Sequence, residues 1–148
     1  MKTSTKGITL IKLFEGLRLV AYRCSAGVPT IGYGHTKGVK MGDHCSSMDA
    51  ERFLAEDLKP IEKKLSEMFP SLNQNQFDAL VSFSFNLGLG WTAKSGLLEA
   101  LKDKDFDIAG SQMLRWCKAK TAKGESITIP GLLSRRSKER TLFLTKEA

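Results

Sequence analysis

The chain has little cysteine, histidine or proline: three Cys, two His and four Pro in 148 residues. Cys24, Cys45 and Cys117 are too few and too odd in number for a disulfide framework. No CxxC pair occurs, and His35 and His44 do not complete a zinc pattern with them. Reduced thiols are the expectation, with a single Cys24–Cys45 bridge as the alternative. A long apolar run is also missing. Ile8 to Phe14 is short, is broken by Thr9 and Lys12, and stops at Glu15. It serves neither as a membrane span nor as a convincing secretory core. No repeat or low-complexity tract appears. Acidic residues are the minority, 16 against 23 Lys and Arg, giving a net charge of +7. That field favours polyanions such as nucleic acid, anionic membrane or envelope polymer, and it also serves simply to keep a surface soluble.

What is present fits one ordinary domain over residues 1–148. An apolar fraction of 41% supports a core without staples. Ile8, Ile11 and Phe14 recur at helical spacing, with Ser4 or Thr5 available as a cap and Gly16 as a stop. Residues 17–22 and 29–34 read as two strands around a turn at 25–27, with a third strand expected near Val39 to Met41. Glycines at 32 and 34 weaken a strand and point to a close approach to its backbone.

From Ser46 onward only helices are expected. Ser46 and Asp49 form a capping-box start for a helix to about Leu58. Pro60 predicts a kink or a fresh start, followed by a charged helix over 60–69 that links two lobes. Asn73 and Gln76 open a helix apolar almost all round, hence central. Helices follow near 93–101 and 106–119, and Pro130 suits the first turn of a last one reaching about Thr145. The result is an α+β layout: a small antiparallel sheet lobe over about 15–60, and a helical lobe over about 61–148 that includes the N-terminal helix. A ligand cleft is expected between them.

Glu15 stands where helix gives way to sheet. A partly buried carboxylic acid there keeps a proton to donate; the bland reading is a solvated surface Glu. Thr30 and Cys24 face each other across the hairpin, and each has an ordinary structural reading as well. His35 reads as a structural, ion-pairing residue.

Three ordered blocks then carry a family resemblance. Glu15-Gly16-Leu17-Arg18-Leu19 and Thr30-Ile31-Gly32-Tyr33-Gly34-His35 resemble the phage-type lysozymes, the endolysins related to phage T4 lysozyme. So do Gln76 to Phe83 with Phe85-Asn86-Leu87-Gly88, and Pro130-Gly131-Leu132 with Arg135-Arg136, Glu139 and Leu142-Phe143. The family's catalytic pattern is Glu, eight residues, Asp or Cys, five residues, Thr. Glu15, Cys24 and Thr30 match it in type and spacing.

The resemblance implies a lysozyme-like fold and a cofactor-free, metal-free monomer. It also implies hydrolysis of the β-1,4 bond between N-acetylmuramic acid and N-acetylglucosamine in peptidoglycan. Glu15 would be the general acid, and Cys24 with Thr30 would act on the attacking water. Gly34, Thr36, Asn86 and Ser95 are candidate substrate contacts, with Asn86 equally suited to a structural role. The chain would wait in the host bacterial cytoplasm and reach the periplasm or wall through a holin-type pore. No nucleic-acid motif and no stable membrane insertion are expected.

Many relatives carry Asp where this chain has Cys24. A free thiol is mostly neutral at pH 7 unless its surroundings are electropositive. The neighbouring Arg23 should point to the opposite sheet face. Three roles stay open: a thiolate base toward water, a nucleophile, or a polar space-filler. Redox sensitivity would follow from an accessible thiolate. Trp91 and Trp116 suit either sugar stacking or the core, while Arg135 and Arg136 suit pairing with Glu139 at helical spacing or contact with anionic wall polymer, the pairing being preferred. Competing functions are a non-catalytic peptidoglycan-binding module and a lytic transglycosylase that uses Glu15 alone.

Overall fold

The computed structural model describes residues 1–147. Helix α1 (Thr5–Glu15) leads into strands β1 (Arg18–Arg23) and β2 (Pro29–Gly32). Four helices follow: α2 (Ser47–Met68), α3 (Gln74–Leu87), α4 (Gly96–Lys102) and α5 (Phe106–Met113), with one 3₁₀ turn at Gly90–Thr92. Strands β3 (Lys118–Lys120) and β4 (Ser126–Thr128) precede the last helix, α6 (Pro130–Leu144). The α+β architecture expected from the sequence is observed.

Helix α3 is the axis. Every residue from Asn75 to Ser84 is buried, and α6, α1 and α2 pack around it. Its capping box is complete: Asn73 Oδ1 accepts from the Gln76 N–H at 2.8 Å, and Gln76 Oε1 accepts from the Asn73 N–H at 3.0 Å. The apolar core gathers Ile11, Leu54, Leu58, Leu65, Phe77, Leu80, Phe83, Trp91, Leu97, Met113 and Phe143. Each large side chain removed from water contributes about 1.5–3 kcal/mol.

The approach of α1 to α3 is close. A Cβ on Gly7 would lie 2.9 Å from the Asp78 side chain, so only glycine fits there. Asp78 is fully buried and accepts from the Ser4 N–H at 2.9 Å and from the Gln74 amide at 2.7 Å. The Ser4 hydroxyl also donates to Asp78, so it does not cap α1 as expected; a carboxylate from α3 serves the helix start instead. Gly16 ends α1, with φ +70 and its N–H returned to the Lys12 carbonyl.

Several expectations are corrected. Helix α2 runs unbroken through Pro60, joining the two expected helices. Pro60 is exposed while Leu54, Leu58, Ile61 and Leu65 hold the buried face, so the carbonyl freed by proline faces water. The third strand-like segment lies at Asp43 to Cys45, not at Val39 to Met41. There the Ala21 N–H donates to the Asp43 carbonyl, and the Cys45 N–H to the Leu19 carbonyl, both at 2.9 Å. The helix expected over 106–119 stops at Met113, and an exposed hairpin, β3–β4, occupies the segment read as purely helical. Among the described residues, no helix is long and apolar enough to cross a membrane.

Candidate active site

Glu15 is the last residue of α1. A carboxylate there opposes the helix dipole, whose negative end lies at the C-terminus, so the position is unfavourable unless a cation answers it. Arg135 is that cation: its Nη1 donates to Glu15 Oε2 at 2.5 Å. The Arg135 side chain is 4% exposed and that of Glu15 20%, so water reaches the acid but hardly its partner. On its other side Glu15 meets Gly34. A Cβ at Gly34 would stand 2.9 Å from Oε1, and the backbone there has φ +78. The close approach expected at this glycine is therefore the approach of the acid itself. One carboxyl oxygen is held by a guanidinium, and the other lies against side-chain-free backbone.

Arg135 is held in turn. Its Nε donates to Glu139 Oε2 at 3.1 Å and its Nη2 to the Ser82 carbonyl at 3.0 Å. Its guanidinium carbon lies over the Phe14 ring, 5.5 Å from the ring centre. Glu139 is fully buried and receives the Ser82 hydroxyl at 2.5 Å and the Arg136 guanidinium. Arg136 also donates to the Trp116 carbonyl at 2.9 Å and to Asn86 Oδ1. Burial pushes the Glu139 carboxyl up and the Arg136 guanidinium down, and their mutual contact opposes both changes. The expected pairing of Arg135 and Arg136 with Glu139 is present. The Arg135–Glu15 contact was not foreseen.

Cys24 opens the turn between β1 and β2. Its N–H donates to the Val28 carbonyl at 3.0 Å, and its carbonyl accepts from the Gly27 N–H at 2.8 Å. Gly27 sits at φ +79, which closes this turn. The turn aims the backbone N–H groups of Val28 and then Ala26 at the sulfur, and these hold the Cys24 thiol below the ordinary cysteine range; the Thr30 hydroxyl adds a smaller part. Arg23 takes no part, because it donates to the Gly27 carbonyl at 3.1 Å. The electropositive surroundings that the thiol needs are backbone amides, which no residue type announces.

Thr30 is buried on β2, directly across from Tyr22 and on the Cys24 side of the hairpin. Its Oγ1 donates to the Val28 carbonyl at 2.8 Å. A hydroxyl has one proton and two acceptor sites, so Thr30 serves either Val28 or the sulfur as donor and can still accept from water. Strand β2 thus carries Thr30 next to Cys24 and leads, through Gly32, to Gly34 next to Glu15.

The remaining candidates lie as follows. Thr36 is exposed, and its carbonyl accepts from the Val39 N–H at 3.2 Å. Asn86 is bound to Arg136. Ser95 caps α4, accepting from the Leu98 N–H at 3.0 Å and donating to the Trp91 carbonyl at 2.8 Å. Ser95 also borders a groove shared with Lys94, Gln112, Arg115 and Trp116. Trp91 is core, with its Nε1 donating to Ser84 at 3.1 Å, whereas Trp116 is 38% exposed. His35 is buried, stacked on Phe53 with centroids 4.4 Å apart, and its Nδ1 lies 2.8 Å from Asp57. All three cysteines are free. Cys45 pairs with Leu19, five residues along β1 from Cys24, a span of about 16 Å that forbids a bridge in this fold. Burial, then Asp49, pushes the Cys45 thiol up.

The sequence model of the family described as phage lysozyme matches residues 12–139. The endolysin of Acyrthosiphon pisum secondary endosymbiont phage 1 is 42% identical over 144 residues, covering 97% of this chain and 98% of its own. The endolysin of Salmonella phage P22 is 41% identical, covering 98% and 99%. Among solved structures, the muramidase domain of SpmX from Asticaccaulis excentricus superposes with a TM-score of 0.92 at 38% identity, covering 98% of this chain and 99% of that one. The endolysin from Escherichia coli O157:H7 phage FAHEc1 gives 0.89 at 37%, covering 97% and 94%. By sequence and by fold, this chain belongs to the phage lysozyme family.

Proposed function

We propose that this lysozyme-type glycosidase hydrolyses the β-1,4 bond between N-acetylmuramic acid and N-acetylglucosamine in peptidoglycan, with Glu15 as general acid and Cys24 as the base toward water. The observation that carries the reading is the mounting of Glu15: Arg135 grips Oε2 while Oε1 lies open against Gly34. An acid held by one oxygen presents the other in a fixed direction, which is what proton delivery to a leaving oxygen requires.

In the reaction the bond from the anomeric carbon to the bridging oxygen breaks, and that oxygen takes the proton of Glu15. A water molecule on the opposite face forms the new bond to the anomeric carbon. Its proton passes to the Cys24 thiolate, which the Val28 and Ala26 amides stabilise. Thr30 accepts from that water and so orients it. The chemistry of the step calls for no cofactor. The net charge of +7 favours an anionic wall polymer. In this reading the protein works as a monomer and reaches the wall through a pore of the holin type.

The test is release of reducing ends from purified peptidoglycan, with product masses. Native protein should give hydrated reducing sugars, and E15Q should give none. Equal release by E15Q would remove Glu15 from the chemistry. Anhydro products would make the protein a lytic transglycosylase. Binding without release would make it a non-catalytic module.

A further inference from the structure

We infer that Glu139, which does not touch the reacting atoms, is a positioning residue that sets how strongly Arg135 holds Glu15, with Arg136 as the counterweight. The inference rests on the reading of Glu15 as the acid.

The geometry forms a chain of alternating charge across three helices: Glu15 on α1, Arg135, Glu139 and Arg136 on α6, with Ser82 and Asn86 supplied by α3. Each Arg135 nitrogen serves one residue: Nη1 donates to Glu15, Nε to Glu139, and Nη2 to Ser82 at both its carbonyl and its hydroxyl. Glu139 therefore fixes the plane from which Nη1 reaches the acid. It also shares the single positive charge of Arg135, so less of that charge acts on Glu15. Glu139 is itself divided, because Oε1 takes Arg136 and Oε2 takes Arg135. Other polar or charged groups near this chain are the Ser82 hydroxyl, the Trp116 carbonyl, Asn86, and the thiol of buried Cys117 on the Arg136 side. No other acid contacts Arg135 among the described residues. A helix-locking role alone would be served more cheaply by apolar packing, since a desolvated ion network is a poor source of stability.

Opposite charges should then act with opposite signs on the limb of the pH–rate profile that Glu15 sets. E139Q leaves Arg135 to Glu15 alone and should move that limb toward acid by about one pH unit. R136Q frees Glu139 to neutralise Arg135 more fully and should move the limb toward alkali by a similar amount. E139D keeps the charge and should restore the limb to within a few tenths of a unit. KM should stay within about twofold throughout, with the loss in kcat.

A merely structural role predicts lower thermal stability and a uniformly lower rate, with the limb unmoved. That outcome in the folded variants would overturn the inference, as would shifts of the same sign in E139Q and R136Q. If E139Q does not fold, R136Q and E139D decide on the same readout. E15Q, run in parallel, separates the two layers. An active E15Q removes the reading of Glu15 as acid, whereas an inactive E15Q with unmoved limbs removes only the role of Glu139.

Discussion

The two sides of the proposed active site are built in different ways. On the helical side, Glu15 is anchored by side chains from elements far apart in sequence, 120 residues in the case of Arg135. On the sheet side, Cys24 is served by its own turn, through the amides of Ala26 and Val28 and the hydroxyl of Thr30. One side is tertiary, buried and made of charges; the other is local, keeps Cys24 partly accessible beside buried Thr30, and is made mainly of peptide dipoles. In the proposed reaction the acid keeps one orientation, and the buried Arg135 guanidinium suits that requirement. The proposed base needs only a thiol biased toward its anion, and a tight turn is enough.

The largest expected effect is at the acid. E15Q should lower the release of reducing ends by about 10³-fold or more, with the fold intact by circular dichroism. Next comes its anchor. R135Q leaves buried Glu139 with Arg136 as its one cation and frees Glu15, so it should cost about 3 kcal/mol in denaturant unfolding as well as most of the activity. On the sheet side the same experiment should separate the two properties. C24S should lower kcat about 10²-fold yet leave the unfolding midpoint nearly unchanged, because no core contact is lost. Equal stability losses in R135Q and C24S would erase the distinction between the sides.

Cys24 also makes a pH prediction. Its ionisation lies below the ordinary thiol range. The thiolate population should therefore rise with pH through that lowered value. C24D, ionised at still lower pH, should extend activity toward acid. A smaller effect is expected at Gly34, where the two sides meet. G34A puts a Cβ 2.9 Å from Glu15 Oε1 at φ +78 and should reduce kcat about tenfold. The smallest effect belongs to the exposed β3–β4 hairpin. G124A, at φ +82, should loosen that turn by about 1–2 kcal/mol as seen in hydrogen exchange, with the rate unchanged.

The same contrast explains what was legible beforehand. Both capping boxes, the all-round burial of α3 and the Gly16 stop are local patterns, and the residues involved lie within a few positions of each other. The triad spacing was legible as a family pattern, because Cys24 and Thr30 belong to one hairpin. The grip of Arg135 on Glu15 had no such signal: the Arg135–Glu139 spacing marked a helix pair, and nothing in the sequence around Glu15 names its partner. The hairpin at 118–128 was missed because Lys118-Ala119-Lys120 and Ser126-Ile127-Thr128 have no buried face to impose a strand period. Pro60 misled for the opposite reason: the buried stripe of α2 continues past it, and packing outweighs about 3 kcal/mol of local cost.

The central claim is that a water molecule, activated at Cys24, attacks while Glu15 protonates the leaving oxygen. The most direct test is the anomeric form of the first product, followed by NMR for native protein and for C24D. The account predicts inversion to the α-anomer in both. A β-anomer from the native protein would contradict it and make the Cys24 sulfur a nucleophile.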